Sequence, residues 1–134
     1  MSITLTEQDK LTLRIAAWGA VSLMSAAGAA DSAHKVATRG SVALISATGL
    51  VGHVLTKAPK GVKYGRSVAE LADQVLPALT ASMTLLKQHD PAEADNFRRT
   101  VIVATEASAQ APKGEPSPTL ADMARKITGA LDAA

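Results

Sequence analysis

Apolar residues recur along this chain every three to four positions in long runs, and clusters of proline, glycine, serine and charge cut the runs apart. Thr6-Glu7-Gln8-Asp9 is an acidic first turn behind a capping hydroxyl, and Leu11, Ile15 and Trp18 then follow at helical spacing until Gly28. This predicts a first helix over residues 7–27. A second start at Asp31 or Ser32 leads into Val36, Ala43, Leu44, Ala47, Val51 and Val54, and Pro59 and Gly61 stop it, which predicts a helix over 32–56. Gly40, Gly49 and Gly52 fall inside that span, each costing about 1 kcal/mol relative to alanine. Close packing of a neighbouring helix on the glycine face is the expectation, and a break near Thr48 and Gly49 is the alternative.

Three further helices follow from the same signals. Ser67-Val68-Ala69-Glu70 reads as a capping box, and Val68, Leu71, Val75, Leu79 and Leu86 form an apolar stripe over 68–88. Pro77 lies inside the stripe and removes the donor to the Asp73 carbonyl, which predicts a kink there. Asp90-Pro91-Ala92-Glu93 supplies a cap, a proline at the first helical position and an acid two residues on, opening a helix over 91–109 with Phe97, Val101 and Ala104 on its inner face. After the loop "QAPKGEPSP", Leu120, Met123, Ala124, Ile127 and Leu131 predict a last helix over 118–131. The fold class is therefore all-α, a bundle of about five helices in a single domain, 1–134.

Composition strengthens this reading. Alanine makes up about a fifth of the chain, and the aromatic residues are only Trp18, Tyr64 and Phe97, so helices with closely approaching backbones are favoured over strands. The absence of cysteine excludes a disulfide framework, a thiol nucleophile and cysteine-ligated zinc or iron–sulfur sites. Two stretches carry no formal charge, Arg14 to Asp31 and Arg39 to Lys57, yet each falls short of the roughly 20 strongly apolar residues of a spanning helix. Glu7 and Asp9 precede the first apolar run, where an export signal carries basic residues. The expectation is a cytoplasmic protein with no membrane partner.

Charge is unevenly spread. From Asp31 to Glu70 the chain places Lys35, Arg39, Lys57, Lys60, Lys63 and Arg66 between those two flanking acids, with no acid inside, although the net charge of the whole is only +2. Ala58-Pro59-Lys60-Gly61 recurs as Ala111-Pro112-Lys113-Gly114, and in both places lysine, proline and glycine have the chemistry of a helix stop. Beyond it, Lys60, Lys63, Arg66 and the Ser67-capped helix start could hold an anion such as phosphate or a carboxylate. Nucleic acid fits this segment less well, because Tyr64 is its single aromatic platform and the following helix opens with acidic and apolar residues.

The sequence offers no catalytic constellation. His34, His53 and His89 belong to no metal-binding spacing, His53 is expected as a packed neutral imidazole on an apolar stretch, and no metal or cofactor is implied. The leading expectation is a non-enzymatic interaction module. Trp18 to Ala30 has no charged residue on any helical face, and a domain this small has little room to bury two such helices. A homodimer through the first two helices, with Trp18, Val21, Leu44 and Val51 in the interface, would cover them. A carrier of a small apolar ligand, held in a pocket lined by Met24, Leu44 and Met83, is a further alternative.

Overall fold

The structure is a computed structural model that describes residues 5–27, 33–59, 67–109 and 118–134; the side chains of residues 33–37 and 39 are outside that description. Six helices, and no strand, occur among the described residues: α1 (Glu7–Ala27), α2 (Ala33–Ile45), α3 (Gly49–Leu55), α4 (Val68–His89), α5 (Pro91–Ala109) and α6 (Pro118–Asp132). The chain is an all-α bundle. Four of the five expected helices have the expected limits to within a residue.

Their ends are set by local chemistry. Thr6 and Asp9 cap α1 reciprocally: the Asp9 amide donates to Thr6 Oγ1 at 3.0 Å, and the Thr6 amide donates to Asp9 Oδ2 at 3.1 Å. The Glu70 amide donates to Ser67 Oγ at 3.1 Å at the start of α4, and the Ala92 amide donates to Asp90 Oδ1 at 3.0 Å at the start of α5. Pro77 lies inside α4, which continues through it as one element.

The expected 32–56 helix is two helices. The break comes after Ile45, and Gly49 there takes φ +75°, a left-handed conformation that glycine adopts without a Cβ penalty. The other two glycines do answer to close approach. A Cβ on Gly40 would strike Ser108 of α5 and Val21 of α1, and one on Gly52 would strike the Ala47 backbone. Close packing and a break therefore both occur, at different glycines of one segment.

Helix α1 is the hub of the bundle, touching α2, α3, α4, α5 and α6. Its buried residues, Leu13, Ala16, Ala17, Gly19, Ala20, Val21, Leu23 and Met24, cover more than one face, as a helix enclosed on several sides requires. The lack of charge after Trp18 is thus accounted for within a single chain. Five helices of the same chain surround α1, and its small residues let them close in. Gly19, for instance, leaves room for Val75 of α4.

Candidate functional site

The residues singled out in the sequence fall into three groups. Lys60, Lys63 and Arg66 lie outside the described residues; of that set only Ser67 is described, as the cap of α4. Val21, Leu44 and Val51 are only 4%, 0% and 0% exposed, so as folded they have almost no surface to offer a partner. Trp18 is partly buried and donates from Nε1 to the Leu55 carbonyl at 3.2 Å. In the folded chain Val21, Leu44 and Val51 pack in the interior, and Trp18 lies at its margin.

Trp18 belongs to a clamp around the short helix α3. At the C-terminal end, Arg14 Nε donates to the Val54 carbonyl at 3.0 Å beside the Trp18 bond, so two α1 side chains take up carbonyls that the helix cannot satisfy itself. At the other end Thr48 makes no side-chain cap. Instead Glu93 of α5 accepts from the Leu50 and Val51 amides, each at 3.3 Å, and Asn96 donates from Nδ2 to the Thr48 carbonyl at 2.8 Å. A seven-residue helix is too short to persist alone. Side chains from α1 and α5 hold it in place.

His53 is exposed on α3, where a packed imidazole was the expectation; the helix is so short that its outer face meets solvent. His89 is exposed as well. Among the described residues no three His, Cys, Asp or Glu side chains group closely enough to hold a metal ion. Met24, Leu44 and Met83, expected to line an apolar pocket, belong to the buried core cluster.

Among the described residues, the titratable groups with displaced pKa values are in exposed ion pairs on α5 and α6. Arg98 Nε donates to Asp132 Oδ1 at 2.8 Å and its Nη2 to Oδ2 at 3.3 Å, tying α5 to α6. This hydrogen bonding holds Asp132 below the ordinary carboxylate range and raises Arg98 above its ordinary value. Asp122 is lowered in the same way, first by Lys126 at 3.4 Å and then by Arg125 at 3.3 Å.

Two shallow depressions meet on this side of the molecule. One, of about 490 Å³, runs between α5 and α6 over Ile102, Thr105, Ala124, Thr128 and Gly129. The other, of about 360 Å³, is lined among the described residues by α5, through Asp95, Arg98, Arg99, Ile102, Val103 and Glu106. Ile102 and Glu106 belong to both. Val103 is 48% exposed, and Val42 and Ile45 of α2 are 53% and 51% exposed. Because Gly40 faces Ser108 while Thr48 meets Asn96, α2 runs antiparallel to α5, and Val42 and Ile45 stand level with the middle of α5.

The α5 surface escaped the reading of the sequence, although a signal was there. Val103 lies off the Phe97, Val101 and Ala104 stripe, on a line of exposed residues otherwise occupied by Asp95, Arg99 and Glu106. A branched apolar residue on a charged face is what marks it. Among known proteins, no family model, no curated protein and no solved structure matches this chain.

Proposed function

We propose that the protein is a non-enzymatic interaction module that forms a homodimer, with its contact surface on the outer faces of α2 and α5. The observation that carries this reading is the exposure, at one level of two adjacent helices, of Val42, Ile45 and Val103. Single exposed apolar side chains are ordinary on a protein surface; three large ones on two neighbouring helices favour a contact site. Full burial of a valine or isoleucine contributes about 1.5–3 kcal/mol, so covering the exposed half of these three on both copies supplies about 6 kcal/mol. A micromolar dimer requires about 8 kcal/mol, and the remainder falls to the polar contacts of an interface of about 800 Å² per partner.

Sedimentation equilibrium between about 1 and 100 µM tests the reading. The expected result is twice the mass of the chain, and a shift to the single mass in the variant Val42→Glu/Ile45→Glu with its helical circular dichroism unchanged. A single mass throughout the range for the unmodified protein removes the proposal.

A further inference from the structure

The charge order along α5 specifies how a second copy would sit, and the inference rests on the self-association proposed above. Asp95, Arg99, Val103 and Glu106 are all exposed and follow one another at helical spacing on one face. Arg98, Arg125 and Lys126 are engaged with Asp132 or Asp122. Arg99 and Glu106, by contrast, have no ion pair among the described residues. They cannot pair with each other, since seven residues of helix separate them by about 10.5 Å. An acid and a base of opposite sign therefore flank Ile102 and Val103, equally spaced on either side.

That order is self-complementary under a two-fold axis. When two copies of a helix lie antiparallel about an axis between residues 102 and 103, each residue faces the one whose number brings the sum to the same value, so 99 meets 106 and 102 meets 103. We propose that α5 of one chain packs antiparallel on α5 of a second copy, Ile102 and Val103 at the centre and the Arg99 of each chain against the Glu106 of the other. The depression lined by α5 side chains gives the two central residues a seat. A parallel arrangement would set Arg99 on Arg99 and Glu106 on Glu106, so the charges select the orientation as well as the partner.

Charge reversal tests this pairing. Arg99→Glu turns both rim pairs repulsive, and so does Glu106→Arg; each variant is expected to weaken the dimer about 10- to 100-fold, from reversal of two exposed ion pairs. An equimolar mixture of the two variants places opposite charges at both pairs again. The mixture is expected to form a heterodimer as tight as the unmodified homodimer, and the double variant Arg99→Glu/Glu106→Arg to dimerise by itself. Rescue by mixing also shows that each variant is folded. If the unmodified protein dimerises while both single variants do so with unchanged affinity, the α5 pairing is wrong and self-association stands. If the variants weaken the dimer but neither the mixture nor the double variant recovers it, Arg99 does not face Glu106. If the unmodified protein keeps a single-chain mass up to about 100 µM, both readings fall.

Discussion

Replacing glycine by alanine should have opposite effects at two helical positions of this protein. Gly129 lies within α6, and a Cβ built there has no heavy atom within 4 Å. Nothing opposes the intrinsic preference for alanine, so Gly129→Ala should stabilise the protein by about 0.5–1 kcal/mol, nearer the lower figure because the helix ends three residues later. Gly52 lies within α3, where the same atom would strike the carbonyl carbon and oxygen of Ala47. A backbone group cannot rotate away as a side chain can. Overpacking of a tight interior costs about 1–3 kcal/mol, and contact with the main chain belongs at the upper end, so after the gain in helix preference Gly52→Ala should lose about 1–2 kcal/mol. Urea unfolding of the two variants beside the parent measures both, with equal slopes as the condition for comparing midpoints. A Gly52→Ala variant as stable as the parent would refute the close approach of α3 to the α2–α3 turn.

The clamp on α3 gives a second expectation: Glu93→Ala should cost about 1–2 kcal/mol through loss of two amide hydrogen bonds and of a favourable charge in the first turn of α5, and Glu93→Gln about half as much. Amide hydrogen exchange localises the effect, with Leu50 and Val51 exchanging faster and the interior of α4 unchanged. A third expectation concerns acid. Arg98 lowers the pKa of Asp132 in the folded chain, so this pair contributes stability above the unfolded carboxylate value of about 4 and loses it as pH falls through the lower folded value. Asp132→Asn should therefore flatten the acid side of the stability–pH profile and leave its alkaline side alone; an unchanged acid limb would count against the pair.

The sequence carried the helices better than their faces. α1, α4, α5 and α6 were legible because Thr6, Ser67, Asp90 and the loop prolines act on residues within a turn of themselves. The break between α2 and α3 was legible only as an alternative, from Thr48 and Gly49, because its outcome also depends on Glu93, more than forty positions away, which accepts from amides at the start of α3. Trp18, Val21, Leu44 and Val51 show the same limit from the other side. An apolar position enclosed by its own chain and one enclosed by a partner look alike in a run of alanine, valine and leucine, and only the arrangement of the other helices distinguishes them. At the basic 57–67 segment the sequence alone speaks for Lys60, Lys63 and Arg66.

The hub position of α1 has a consequence for how the chain is made. During synthesis α1 leaves the ribosome before the helices that cover it, and one of these, α6, begins only at Pro118. At elongation rates of about 5–20 residues per second, α1 waits roughly 5–20 s for its last covering helix. Through that interval a largely uncharged segment has several apolar faces in water at once. The newborn chain is thus most exposed to misassociation before α6 emerges, and a ribosome stalled short of α6 would release a product whose central helix is uncovered along one side.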